Sequence, residues 1–271
     1  MAPIDMTSSV LQEKRGAGLW LRLNRPDSLN GLHPDLLAGL HAGLDRAEVD
    51  EDIRVVVIAA NGKAFCAGAD LVYANSLQSA PRPHGRRDAA QLFLQDVREL
   101  LQRIEHLDLP VIAAVQGVTV GGGLELAMCC DFIIAARSAR IGDGHANFGQ
   151  IPGGGATVRL PQRVGVSLAK RLMFTGVLLP ASELELTDLL SEVVDDDELE
   201  SAVQSLIDTI SSKSPVGIAR MKMLIQDSLD VPVHIGLTIE LEESALHQTS
   251  ADWREGIAAF NEKRRPNFTG S

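Results

Sequence analysis

Two short stretches of this 271-residue chain could do chemistry: Phe65–Leu71 (FCAGADL) and Gly121–Glu125 (GGGLE), each following an apolar run. If a helix opens near Gly122, its first turn offers unpaired N–H groups and the positive end of the helix dipole. Glycine at such a point lets a ligand oxygen approach the backbone closely. With a second N–H from the other loop, the pair would form an oxyanion hole for a developing enolate. Glu125 would stand one turn into that helix, within reach of the same point as a proton-transfer group. The same residues also read as a tight turn followed by a favourable first-turn acid, and spacing alone leaves both readings open.

Several other sites are absent. There is no GxSxG elbow, no GxxxxGK[ST] phosphate loop and no HExxH, and the glycines of Gly117–Gly123 (GVTVGGG) do not fit GxGxxG. Three cysteines, Cys66, Cys129 and Cys130, make an odd set with a vicinal pair. That is neither a disulfide framework nor a metal-ligand spacing. Cys66 reads as a small packing residue beside the first loop.

The elements that must carry these loops are legible from periodicity. Gly18–Asn24 alternates as a half-buried strand should, and Arg54–Ala60 and Val111–Val115 are apolar enough for strands covered on both faces. Pro34 opens a helix with Leu36, Leu37, Leu40 and Leu44 on one stripe. A second helix carries Phe93, Val97, Leu100, Ile104 and Leu107 and stops before Pro110. A short helix runs from Gly122 to about Cys130, and Phe132–Ala136 is a further strand. This alternation predicts an α/β core with largely parallel strands. Asn61–Leu71 reads as a loop and Ser79–Arg87 as a mobile surface segment. Beyond Gly155 the chain reads as mostly helical, with one strand at Glu192–Val194. Two apolar faces there, Val203–Ile210 and Trp253–Phe260, are large enough to need a partner surface.

With 45% apolar residues the chain is no disordered segment. Its 25 basic and 36 acidic residues, net -11, argue against wrapping nucleic acid. Residues 110–136 approach the length of a membrane span but hold three consecutive glycines, Glu125 and Asp131, so no membrane helix is expected. The first seven residues show no signal-peptide pattern, and the expected location is cytoplasmic.

Five segments together carry a family resemblance: Leu23–Leu32 (LNRPDSLNGL), Lys63–Leu71 (KAFCAGADL), Pro110–Asp131 (PVIAAVQGVTVGGGLELAMCCD), Gly149–Leu160 (GQIPGGGATVRL) and Phe260–Phe268 (FNEKRRPNF). In order and spacing the chain resembles the crotonase (enoyl-CoA hydratase/isomerase) superfamily over nearly its whole length. The resemblance implies an α/β fold: a spiral of strand and helix turns over residues 1–195, then a helical region over 196–271 that drives assembly into a homotrimer or a dimer of trimers. It implies a coenzyme A thioester as substrate, with no metal and no redox cofactor.

Carried over to this chain, the resemblance places the oxyanion-hole donors on the backbone N–H groups of Ala69 and Gly122. Leu29, Ala67, Gly68, Asp70 and Leu71 fall in segments that contact the coenzyme A thioester, and Leu71–Leu77 would wall the acyl pocket. Lys263 falls where a basic residue approaches the coenzyme phosphates, although it also reads as part of a solvated charge run. Glu125 matches the first of the two catalytic glutamates of the hydratases. The second belongs to an F-G-x-P-E-x-x-x-G segment, where this chain reads IGDGHANFG, with His145 at the glutamate's position. Histidine titrates near neutrality and could serve as acid or base. Burial would lower its pKa and a nearby carboxylate would raise it, so the sequence leaves the direction open. The alternative for His145 is a loop histidine bonded to a backbone carbonyl. Asp143 reads as a turn-former between two glycines.

The function implied is 2-enoyl-CoA hydration through a thioester enolate. Isomerisation, decarboxylation, or hydrolysis of a C–C or thioester bond would share that enolate. An inactive acyl-CoA-binding or scaffold protein is the alternative outside enzymes.

Overall fold

The computed structural model of the protein describes residues 7–78 and 88–271, so the segment Ser79–Arg87 and most of the N-terminal stretch lie outside the described residues. The larger of two sheets sets β1 (Val10–Arg15), β2 (Gly18–Leu23), β3 (Val55–Ala60), β5 (Val111–Val115), β7 (Phe132–Ala136) and β10 (Glu192–Val194) side by side in that order. β1 and β2 form an antiparallel hairpin, and every other neighbouring pair is parallel. The smaller sheet takes the intervening strands β4 (Ala64–Cys66), β6 (Val118–Val120), β8 (Arg140–Gly142) and β9 (Leu179–Pro180). There β4, β6 and β8 are parallel and β9 pairs antiparallel with β8.

Ten α-helices are found among the described residues. The first six are α1 (Pro34–Val49), α2 (Leu71–Gln78), α3 (Ala89–Glu105), α4 (Gly122–Met128), α5 (Ala156–Thr175) and α6 (Ala181–Leu184). α7 (Leu199–Ser211), α8 (Pro215–Ser228), α9 (Val233–His247) and α10 (Ala251–Glu262) follow the last strand. No described helix is long and apolar enough to cross a membrane. The apolar stretch 110–136 resolves instead into β5, β6, α4 and β7.

The larger sheet is covered on both faces, as parallel strands require. Leu19, Leu21 and Leu23 of β2, with Val56 and Ile58 of β3, join one apolar cluster together with the Phe93, Val97, Leu100 and Ile104 stripe of α3. Val55 and Val57 face the other way and pack with Val203 and Ile207 of α7. β2 departs from the half-buried expectation. Its Trp20 is buried in the second cluster, under the guanidinium groups of Arg15 and Arg22 at 4.6 and 5.6 Å from the ring. Alternation showed that two faces exist, but not that both are covered.

Every residue of the short helix α4 is buried, Glu125 included. Its close approach to β4 depends on Gly123, because a Cβ there would lie 2.0 Å from the Cys66 carbonyl oxygen. The three cysteines are free and buried. Burial pushes the thiols of Cys66 and Cys129 up to about 12, which fits packing residues rather than nucleophiles.

The C-terminal helices are different. α9 has no buried residue, and Leu237 and Leu241 on it, like Ile225 on α8 and Phe260 on α10, are exposed. The Trp253–Phe260 face thus has no partner within the described chain.

Candidate active site

The smaller sheet assembles the site. β4, β6 and β8 are adjacent parallel strands, so their carboxyl ends lie along one edge, the usual position for a ligand in parallel α/β sheets. β4 delivers Ala67–Asp70, β6 delivers Gly121 and α4, and β8 delivers Asp143–His145. A methyl group built on Gly121 would stand 3.6 Å from His145 Cε1, 3.5 Å from the Asp143 carbonyl oxygen and 3.8 Å from Gly68 Cα. Three segments distant in sequence therefore meet around one residue.

The first loop is zipped onto residues 29–32. Ala67 N–H donates to Leu29 O at 3.0 Å, Leu32 N–H to Gly68 O at 2.7 Å, and Asp70 N–H to Leu32 O at 3.0 Å. In a parallel pairing of this kind the intervening residue, Ala69, points its own N–H to the opposite side. Among the described residues that N–H has no acceptor. Nor does the N–H of Gly122, the first residue of α4, whose first-turn donors have no intrahelical partner. These two donors can accept a developing oxyanion.

The loop is locked by residues that residue type and spacing leave without a role. The buried side chain of Asn30 accepts from Arg25 N–H and donates to the carbonyls of Asn61 and Ala64. This fixes Leu29 and Asn30 in left-handed conformations, φ 52° and 55°. Arg25 spans Gly31 O and the Asp70 carboxylate. The other Asp70 oxygen accepts from Val72 and Tyr73 N–H at the start of α2. Burial raises the Asp70 pKa, but the Tyr73 N–H and Arg25 outweigh it and hold the carboxyl below its ordinary value. The Asp70 side chain is thus engaged by the protein on both oxygens, while Leu29 and Leu71 beside it are exposed.

Glu125 is 3% exposed, and its Oε1 accepts from Gly154 N–H at 2.8 Å and Ala156 N–H at 3.0 Å. Oε2 accepts no hydrogen bond from the described residues. Burial pushes this carboxyl above its ordinary value, against the Ala156 N–H, the nearby His145 and the Gly154 N–H; the Asp143 charge adds to the rise.

His145 is not bonded to a backbone carbonyl. Its Nδ1 lies 3.0 Å from Asp143 Oδ1, and its N–H donates to Asp143 Oδ2 at 3.3 Å. Asp143 is 1% exposed. The hydrogen bond to Asp143 raises the His145 pKa above its ordinary value, outweighing burial, with the Asp143 and Glu125 charges adding to it. Asp143 does shape the turn, as its flanking glycines suggested, and it also fixes the imidazole, whose Nε2 has no partner among the described residues. The signal was the spacing of two residues across a glycine. A carboxylate and a histidine of opposite proton demand, beside two free N–H donors, can take a proton from one ligand atom and give one to another.

Among the described residues, no hydrogen bond or ion pair joins Lys263 to these loops. It is exposed, in a left-handed conformation at the end of α10. The tail beyond it is tied through Phe268 O and Gly270 to Arg54 and Asp252, with Arg54 at the start of β3.

A family model described as enoyl-CoA hydratase/isomerase matches residues 14–271. The chain is 36% identical over 265 residues to the 2,3-dehydroadipyl-CoA hydratase of Escherichia coli (strain K12), covering 97% of this chain and 99% of that one. It is 33% identical over 261 residues to the crotonyl-CoA hydratase of Syntrophomonas wolfei subsp. wolfei, covering 96% and 97%. The crystal structure of an enoyl-CoA hydratase from Bacillus anthracis superposes with a TM-score of 0.89 at 32% identity, covering 97% of this chain and 100% of that one.

Proposed function

Since the chain belongs to the enoyl-CoA hydratase/isomerase family, we propose that it hydrates 2-enoyl-CoA thioesters with Glu125 as base and His145 as acid. The observation that carries this is the convergence of two free N–H donors, a buried carboxylate and an Asp-held imidazole on one sheet edge. The thioester oxygen sits between Ala69 N–H and Gly122 N–H. Glu125 takes a proton from water as its oxygen bonds to C3, and the C2=C3 electrons move toward the thioester oxygen. The enolate so formed is stabilised by the two N–H groups and takes a proton at C2 from protonated His145. The net addition is H to C2 and OH to C3. One proton passing from Glu125 to His145 through solvent resets the pair. No metal or redox group enters these steps.

Leu29 and Leu71 would flank the coenzyme arm, with Ala67 and Gly68 offering backbone. The role assigned to Asp70 is to hold that loop against Arg25. The test is conversion of crotonyl-CoA, followed by loss of the enoyl-thioester absorbance with mass-spectrometric identification of the product. A product heavier by one water supports hydration. An unchanged mass with a shifted double bond assigns isomerisation, which the same acid and base could perform across C2 and C4. No turnover of any enoyl thioester by the folded protein would overturn the reading.

The exposed apolar faces of α8, α9 and α10 support self-association, and we assign a homotrimer or dimer of trimers. Lys263 is assigned to the coenzyme phosphates of a neighbouring copy. Sedimentation is expected to give a mass near three or six times 29.1 kDa; a stable, active monomer would refute it. Three free, buried cysteines fit a reducing compartment, and the cytoplasm is the one we assign.

A further inference from the structure

The two N–H groups that hold Glu125 belong to a glycine turn, Gly153–Ala156, which has little stiffness of its own. Something else must fix it. Arg159, one turn into α5, donates from Nη1 to the Gly154 carbonyl at 2.9 Å. That carbonyl lies in the chain between the two donors. The rest of the guanidinium makes a paired contact with Glu105 at the end of α3, Nε to Oε1 at 2.8 Å and Nη2 to Oε2 at 2.6 Å. A paired Arg–carboxylate contact fixes orientation as well as distance. The guanidinium lies so close to the turn that a Cβ on Gly155 would be 2.0 Å from Nη1. Arg159 and Glu105, with Gly153, Gly154 and Gly155 of the turn, also line an open cavity of about 400 Å³, which has none of the oxyanion donors in its wall.

We propose that the Glu105–Arg159 pair is a positioning device for Glu125, holding the 154–156 turn so that both N–H groups stay on Oε1 and leave Oε2 for the water. This rests on the reading of Glu125 as the base. Neither residue touches the reacting atoms. The charged and titratable groups facing Glu125 are His145 and Asp143 from the loop after β8, Arg159 from α5 and Cys129 just beyond the end of α4. Hydrogen bonds to a carboxylate favour its charged form, so losing them raises its pKa.

The test reads Glu125 directly, without substrate, as the carboxyl titration in isotope-edited infrared spectra, identified by its loss in Glu125→Gln. In Arg159→Ala the midpoint is expected to rise by about one pH unit. Turnover should fall on the order of 10²-fold, the cost of misplacing a reacting group, with acyl-CoA affinity little changed. Guanidinium ion at non-denaturing concentration, entering from the open cavity, should reverse both effects, and sodium chloride at equal ionic strength should not. A folded Arg159→Ala protein with the wild-type midpoint, or a shift that guanidinium leaves in place, would overturn the proposal. If that variant does not fold, Glu105→Gln and Arg159→Lys must show smaller shifts in the same direction, and an unchanged midpoint in both overturns it. Arg163 lies one turn further along α5 and bonds the Met128 and Cys130 carbonyls. Arg163→Gln should lower thermal stability without moving the midpoint, and an equal shift there would sink the specific role of Arg159. If hydration fails but the midpoint moves, the proposed function falls and the positioning stands.

Discussion

Replacing Glu125 with Gln is expected to lower turnover by about 10²–10⁴-fold, the usual contribution of a general acid or base, while acyl-CoA binding stays close to wild type. The side chain is buried in a site of fixed shape, and Gln fills the same outline. One feature changes besides the charge. Oε1 of Glu125 accepts from both Gly154 and Ala156 N–H, so the Gln amide must turn its oxygen to those donors and its NH₂ toward the water. An NH₂ group can donate to the water oxygen but cannot take its proton. The effect therefore falls on kcat. Steady-state kinetics on the true substrate, with product affinity measured alongside, check it. A variant with near-full activity would remove Glu125 from the chemistry.

Replacing His145 with Ala is expected to abolish exchange of the C2 proton in heavy water and to lower hydration by about 10²-fold or more. The pH profile gives the sharper test. Glu125 must be charged to act as base, and burial raises its pKa, so activity is lost as pH falls through a value above the ordinary carboxyl one. His145 must be protonated to act as acid, and the hydrogen bond to Asp143 raises its pKa, so activity is lost as pH rises through a value above the ordinary imidazole one. The profile should be a bell with both limbs displaced upward. In His145→Ala the basic limb should vanish and the acidic limb remain. His145→Glu is expected to recover part of the crotonyl-CoA hydration, because a carboxyl there restores the hydratase pair. If His145→Ala leaves the exchange and the basic limb as they are, the histidine is structural and the C2 proton comes from elsewhere.

Much of this is legible in the sequence. The strands Arg54–Ala60, Val111–Val115 and Phe132–Ala136 and the stripe of α3 were readable because burial on a periodic element imposes a period on the residues themselves. Gly121–Glu125 reads from spacing alone as a glycine turn before a first-turn acid, and its oxyanion-hole reading comes from the family resemblance. The family was readable because five segments recur in a fixed order.

Other features were not. The strands β4, β6 and β8 are three residues each, too short for any period to register, and by pattern alone Ala64–Cys66 reads as part of a loop. Yet these three strands bring Ala69, Gly122 and His145 to one edge. The direction of the His145 shift was likewise undecided, because it depends on whether burial or a carboxylate dominates. That is a matter of the 3.0 Å between Nδ1 and Asp143, which sequence spacing cannot supply. The commitment of Asp70 to Arg25 and the pairing of Arg159 with Glu105 are contacts between segments far apart in sequence. The sequence alone determined which side chains and donors are available and which elements carry them, since those follow from residue type and local period. Which groups share a site, and in which proton state they meet, follows from the folded arrangement of the chain, because distance and burial set the energy of a charge and neither is a local property of the chain.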